Sequence, residues 1–195
     1  MPKIMSEYER EQTKKSIIKH THQLILDRKG LKTITVDDII RSVIMGKSTF
    51  YSIYQSKEAC FCDVLENEFF NSLNKANLLR QEKITSEERT IRFFREIYLA
   101  KDSIGNYVTD ADIESIFRKL PPEYSEKGQL LMGGGIIKYV MEELGYNETQ
   151  AETLNLLLGC VDNVFVSNYG SEQARKEALD YLIHMLVEFF KNKYF

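Results

Sequence analysis

Thr35-Val36-Asp37-Asp38-Ile39-Ile40-Arg41-Ser42-Val43-Ile44-Met45-Gly46-Lys47-Ser48-Thr49-Phe50-Tyr51-Ser52-Ile53-Tyr54-Gln55-Ser56-Lys57-Glu58 is the stretch whose reading decides the fold. The Thr35 hydroxyl can cap a helix, and Asp38 three residues on completes a capping-box variant with Asp in place of Glu or Gln. Val36, Ile39, Ile40 and Val43 then follow a 3.6-residue period, so a short helix is expected. A tight turn at Ile44-Met45 leads to a second short helix near Gly46. Phe50 and Ile53 are expected to face inward there, leaving Lys47, Ser48, Thr49, Tyr51 and Ser52 largely outside. Two helices across a tight turn, the second presenting Lys, Ser, Thr and Tyr, have the form of a DNA-reading helix-turn-helix. Short polar and basic side chains reach base edges and phosphates, which large acidic ones do not.

Working outward, a preceding helix is expected over 7–28, with Ile17, Thr21, Leu24 and Ile25 on one face. Gly30 offers the left-handed residue that closes it. Downstream, Ser56 caps a long helix that reads through Phe61, Leu65, Phe69, Leu73, Ala76 and Leu79 to about Gln81, a rod of roughly 37 Å. The domain boundary is set at its start, giving a head of residues 1–56 and a body of 57–195. Further helices are expected over 86–101, 109–119 and 125–144, with a loop at 102–108 and a firm break at Pro121-Pro122. Gly133-Gly134-Gly135 inside the third of these reads as a kink, a loop or a close approach. Asn147 with Gln150 is a capping signal for a helix that Gly170 ends, and a last helix follows from about Ser171 into Phe190. Period-two alternation is not sustained anywhere, so the chain is expected to be all-α, with about nine helices.

The net charge of −3 hides an asymmetry. Residues 1–57 carry eight Lys and three Arg against three Glu and three Asp, or +5, leaving −8 for the remainder. A basic head on an acidic body suits a head that meets phosphate, because local charge controls counterion release. No apolar run approaches the roughly 18–20 residues of a membrane span, and the N-terminus lacks an apolar signal core, so a cytoplasmic protein with no membrane partner is expected. Cys60, Cys62 and Cys160 lack metal-type spacing, and reduced, mostly packed thiols are expected. His20, His22 and His184 are scattered, and no catalytic or metal-binding motif accompanies them, so neither an enzyme nor a cofactor is expected.

Residues 30–58 resemble the DNA-binding signature of the tetracycline-repressor (TetR) family, roughly Thr-Val-x-x-Ile-Ala, then Ala-Gly-Val-Ser-Lys-Gly-Thr-Leu-Tyr-x-x-Phe-x-Ser-Lys-Glu. About ten positions agree in type and spacing, and Gly30 at the end of the first helix joins the match. The resemblance implies that Lys47, Ser48, Thr49 and Ser52 lie in or beside the major groove of double-stranded DNA and that Tyr51 donates its hydroxyl to a phosphate. It implies backbone contacts for Thr35 and Lys57, in keeping with the affinity of helix N-termini for anions. Phe50 and Tyr54 would be packing residues. Three positions depart from the pattern. Ile44 stands where the family has glycine, and a β-branched residue resists positive φ, so the turn is expected to take another backbone path. Gly46 replaces a capping serine, and Ile40 replaces a small alanine.

For the body, the resemblance implies a repressor released by a small effector. Its candidate pocket residues are Phe69, Phe70, Phe93, Phe94, Tyr98, Phe117, Met132 and Tyr139, whose lack of clustered charge favours an apolar or aromatic ligand. The final two helices are apolar on a broad face, and the earlier one on more than one side between Leu154 and Val166. Such helices need covering, so a homodimer through a four-helix bundle is expected, with Leu154, Leu158, Val161, Phe165, Leu182, Leu186 and Phe189 at the interface. The alternative is a regulatory adaptor that keeps the fold but acts through a protein partner without a small-molecule effector.

Overall fold

The computed structural model describes residues 5–131, 135–145, 150–166 and 169–191. Among them are ten α-helices and no strand, so the expected all-α architecture holds. The head contains α1 (Glu7–Arg28), α2 (Val36–Val43) and α3 (Lys47–Ile53), and α4 (Lys57–Arg80) leaves it. The body adds α5 (Ser86–Phe93), α6 (Asp110–Phe117), α7 (Ser125–Gln129), α8 (Gly135–Leu144), α9 (Ala151–Val166) and α10 (Glu172–Lys191). No helix among the described residues is long and apolar enough to cross a membrane.

The helix starts are set by short polar side chains. Ser6 and Glu9 form a reciprocal capping box at α1, as do Thr35 and Asp38 at α2 and Thr109 and Asp112 at α6. Ser56 Oγ accepts the Ala59 N–H at 3.1 Å to open α4, and Ser171 Oγ accepts the Ala174 N–H at 3.1 Å before α10. Each such bond satisfies an amide that the helix itself leaves unpaired.

Two helix ends differ from expectation. The left-handed residue closing α1 is Lys29 (φ 52°), one position before Gly30, which takes φ 147°. Its N–H reaches back to the Ile25 carbonyl at 3.1 Å, and only a glycine fits that second bend without strain. Ile44 does adopt the left-handed conformation (φ 58°, ψ 56°), so the turn follows the ordinary path after all. The Ile44 N–H bonds the Arg41 carbonyl at 3.3 Å and the Met45 N–H bonds the Ile40 carbonyl at 3.0 Å. Those bonds and the docking of α3 hold a conformation that costs an L-residue about 1–2 kcal/mol.

One expected long helix changes type part-way. The segment expected over 86–101 turns after Phe93 into a π-helical turn, Phe94–Tyr98, closed by a Leu99 N–H to Phe94 carbonyl bond of 2.8 Å. Of the segment expected over 125–144, the described residues are helical over α7 and α8, while Met132, Gly133 and Gly134 lie outside the described residues, as does Asn147.

The apolar side chains form two cores. The first gathers Ile17, Ile25, Ile39, Phe50, Phe61 and Val64 with Ile104 and Ile116, joining α1–α3 to the start of α4, to a 3-10 turn at Ile104–Asn106 and to α6. The second gathers Ala76, Leu79, Phe93, Phe94, Val140, Leu154, Ile183 and Leu186 from the end of α4, α5, the π turn, α8, α9 and α10. Apolar packing thus continues across the boundary expected at residue 56, and the division between cores falls midway along α4. Ion pairs follow the first core outward: Lys14–Asp63 at 2.7 Å, Lys32–Asp112 at 3.5 Å and Lys119–Glu58 at 3.2 Å.

Candidate nucleic-acid interface and body cavity

Helix α3 is anchored on one side only. Phe50 is fully buried, stacked at a tilt on the buried Tyr54 with ring centroids 5.7 Å apart. One residue on, Tyr51 meets the edge of Phe50 at 5.5 Å and leaves half of its own surface, 50%, in solvent. Lys47, Ser48 and Ser52 are exposed and Thr49 is half-buried. The outward set read from the sequence is thus presented together, on one short helix with a buried aromatic root. Gly46 supplies no side-chain cap. Next to it, Ile44 stands 94% exposed at the turn, so its side chain contributes nothing to packing.

The basic groups around this helix are tied in place to different degrees. Lys47 Nζ lies 3.4 Å from Asp37 Oδ1, a contact between two well-exposed groups worth about 0–1 kcal/mol and readily exchanged. Lys57 is half-buried: its Nζ donates to the Ile34 carbonyl at 3.0 Å and sits 5.8 Å from the Phe61 ring centroid. The Thr35 hydroxyl is committed to Asp38, donating to Oδ2 at 2.6 Å and accepting the Asp38 N–H at 3.2 Å. Arg28 and Arg41 converge on the other Asp38 oxygen at 2.8 and 3.1 Å. The hydrogen bonds from Thr35, then the Arg28 guanidinium, hold the Asp38 carboxyl down to about 2. Thr35, though exposed, and the half-buried Lys57 thus each make a hydrogen bond within the chain, and Lys47, Ser48, Tyr51 and Ser52 face outward. The Asp37–Lys47 and Arg28–Asp38 contacts were not read from the sequence; oppositely charged residues ten apart, across a turn, give no periodic signal, whereas Asp38 and Arg41, three apart on α2, keep the helical spacing.

A cavity of about 120 Å³ lies where the two cores part. Four of the eight candidate pocket residues line it: Phe69, Phe93, Tyr98 and Tyr139. Three do not. Phe70 points away from it and is half-exposed, Phe94 is sealed in the second core, and Phe117 packs on the first core against Gly128. Met132 lies outside the described residues. Leu65, Leu73 and Ala76 of α4, unassigned by the sequence reading, complete much of the wall.

The polar groups at this cavity are mostly occupied. Glu68 receives the Ile104 N–H at 3.2 Å on one oxygen and meets His22 Nε2 at 3.2 Å with the other. Tyr98 donates its hydroxyl to Asp162 on α9 at 2.6 Å, and burial raises the pKa of both groups, Tyr98 well above the usual phenol range. Tyr139 differs. Its ring stacks on Phe93 at 4.4 Å, with the Arg80 guanidinium 4.6 Å from its centroid, yet its hydroxyl is buried without a hydrogen-bond partner among the described residues. Arg80 and Arg89 are in turn held by Glu143 at 2.7 and 2.8 Å, which ties α4 and α5 to α8.

The cysteines offer no reactive thiol in the body's interior. Burial pushes Cys60 up to about 12 and Cys62 up to about 11, so both stay protonated, and Cys160 is exposed.

The candidate dimer residues need correction. Leu154, Leu158, Val161 and Leu186 are buried within this chain, where α9 and α10 pack on each other and on α8. Phe165 and Leu182 are half-buried, and the Phe189 side chain lies outside the described residues. Because α9 is apolar on several sides, residue type alone did not distinguish its inward face from its outward one. The outward face carries Leu156, Cys160 and Asn163 on α9, and Ala174, Ala178, Tyr181 and Met185 on α10. Both sets follow the alternating three- and four-residue spacing of helix-on-helix seams.

Compared with known proteins, the chain matches no family model and no curated protein. The functional reading therefore rests on the chain's own residues.

Proposed function

We propose that the protein is a DNA-binding transcription regulator, a repressor that binds a palindromic operator as a homodimer and is released by a small apolar or aromatic effector. The observation that carries this reading is α3: a short helix rooted by Phe50 that turns Lys47, Ser48, Tyr51 and Ser52 to solvent in the basic head of an otherwise acidic chain. The resemblance of residues 30–58 to the TetR signature supports it from the sequence side. Two copies joined through the outward stripes of α9 and α10 would form a four-helix bundle and present two recognition helices about 34–36 Å apart, one turn of DNA. An effector in the body cavity needs only unequal affinity for two arrangements, a coupling of about 1–3 kcal/mol.

Selection of binding sites from random duplexes tests the reading directly. A palindrome should be enriched, and changing Lys47, Thr49 and Tyr51 together to alanine should abolish its binding. Lys47→Ala alone should reduce the slope of log affinity against log salt by about one. Enrichment of no sequence, or full affinity in the triple variant, sinks the proposal. Ile44 favours a second reading, an adaptor that meets a protein partner, because a large apolar side chain stands 94% exposed beside α3. The same selection separates the two, since an adaptor alone enriches nothing.

A further inference from the structure

The turn between α2 and α3 carries a side chain that serves nothing inside the chain. Ile44 holds the left-handed conformation at φ 58° and ψ 56°. Among the described residues the other non-glycine position with positive φ is Lys29, whose unbranched, charged side chain belongs in water. A β-branched residue is strained in this region. Packing could offset the strain, but none does: Ile44 is the most exposed large apolar side chain among the described residues. Its neighbour Met45 takes the inward side of the turn and packs on the first core. Glycine at this position would relax the backbone and lose no contact, so the use of the isoleucine side chain lies outside the chain.

The place of the turn says what it meets there. Ile44 precedes Lys47, the first residue of α3, by three positions, and the N-terminal end of a recognition helix is the end that meets base edges. The exposed residues flanking it, Arg41, Gly46, Lys47 and Ser48, add polar and basic groups but no apolar surface. Asp37 and Asp38 are engaged by Lys47 and Arg41 at 3.4 and 3.1 Å. One apolar side chain in that setting is too small to seat a protein, which takes roughly 800 Å² from each partner. It matches a single methyl group. In the major groove only thymine presents one, and isoleucine has no donor or acceptor with which to read anything else.

We infer that Ile44 reads one thymine in each half of the operator through its 5-methyl group, beside the base pairs that Lys47 and Ser48 reach. This deepens the DNA-binding reading above and rests on it. The head gives up stability at the turn and gains discrimination at one base pair.

The probes are the palindromic duplex enriched by the wild-type chain and copies of it in which each thymine in turn, at both symmetry-related positions, is replaced by deoxyuridine, which lacks only the methyl group. Ile44→Gly and Ile44→Asn are the variants, since both residues adopt the left-handed turn without a branched side chain. For the wild-type chain one replacement should weaken binding about fifteenfold, about fourfold from each half-site for one methyl group withdrawn from apolar contact. In both variants that duplex and its parent should bind alike, whereas the penalties for altered base pairs elsewhere in the site stay as in the wild type. The inference is overturned if no deoxyuridine replacement weakens binding of the wild-type chain, or if the same replacement still weakens it in both variants. It is overturned equally if the variants bind every duplex as the wild type does, the result expected of a side chain kept for a protein partner. Enrichment of no duplex at all removes the DNA-binding reading and this inference together, while an enriched palindrome without a methyl-sensitive thymine removes this inference alone.

Discussion

The head and the body are both helical, yet they are finished differently. In the head, Phe50 is fully enclosed, and Arg28, Arg41 and Thr35 all converge on Asp38. In the body, one helix turns π-helical at Phe94–Tyr98, and a cavity of about 120 Å³ is left beside α4. π-Helical turns are rare and tend to mark functional sites, and this one supplies Tyr98 to the cavity wall. The packing is therefore uneven: α3 is rooted on a fully buried ring, whereas the middle of α4 borders empty space. Under the proposed function, the first would hold a recognition helix rigid and the second would leave room for an effector.

That contrast can be broken at defined places. The largest effect is expected from Phe50→Ala, which should cost about 3–5 kcal/mol in urea unfolding, because the head has no slack to close around the missing ring. A smaller loss would mean the head is looser than its packing suggests. Adding one methylene should then have opposite consequences at a filled site and at the cavity wall, even within the first core. Val64→Ile, where packing is complete, should destabilise by about 1 kcal/mol or more, whereas Val108→Ile, at the cavity wall, should be neutral or stabilise by up to about 0.8 kcal/mol. Equal losses at both sites would erase the distinction.

Thr35→Val removes a cap at a cost of about 1 kcal/mol and should also move Asp38. The wild-type carboxyl, held at about 2 against an ordinary 3.8, contributes stability that is present above pH 3.8 and lost as pH falls through about 2. In the variant its NMR titration midpoint should rise toward the ordinary value. The smallest effect sharpens the picture from the other side. Ile44→Gly should stabilise the head by up to about 1 kcal/mol, because it relieves the left-handed strain while the exposed side chain takes no contacts with it. A loss of stability there would show that Ile44 packs against something.

Much of the head was legible in the sequence because its signals are local. Thr35 and Ser56 announce helix starts through hydroxyls that act within three residues, and the 3.6-residue spacing of Val36, Ile39, Ile40 and Val43 fixes the inner face of α2. Ile44 was misread for a physical reason: intrinsic preference argues against positive φ, and the tertiary context of α2 and α3 overrides it. The body hides more. No glycine or proline marks the π turn at Phe94–Tyr98, and nothing in α9 tells Leu154, which is buried, from Leu156, which is not. The cavity belongs to no single segment, so of the seven aromatic residues expected to line it only four do.

The 24 residues of α4 have a mechanical consequence. The early turns, Ala59 to Leu65, are clamped in one core and the last, Ala76 and Leu79, in the other, while Phe69 and Leu73 between them border empty space. The helix is a beam gripped at both ends and unsupported along one side at midspan. A guest in that space would act less as a lever than as a strut, damping any bending of the helix between its two clamped ends. Its signature would be slower amide exchange around Leu73, with little displacement of either end.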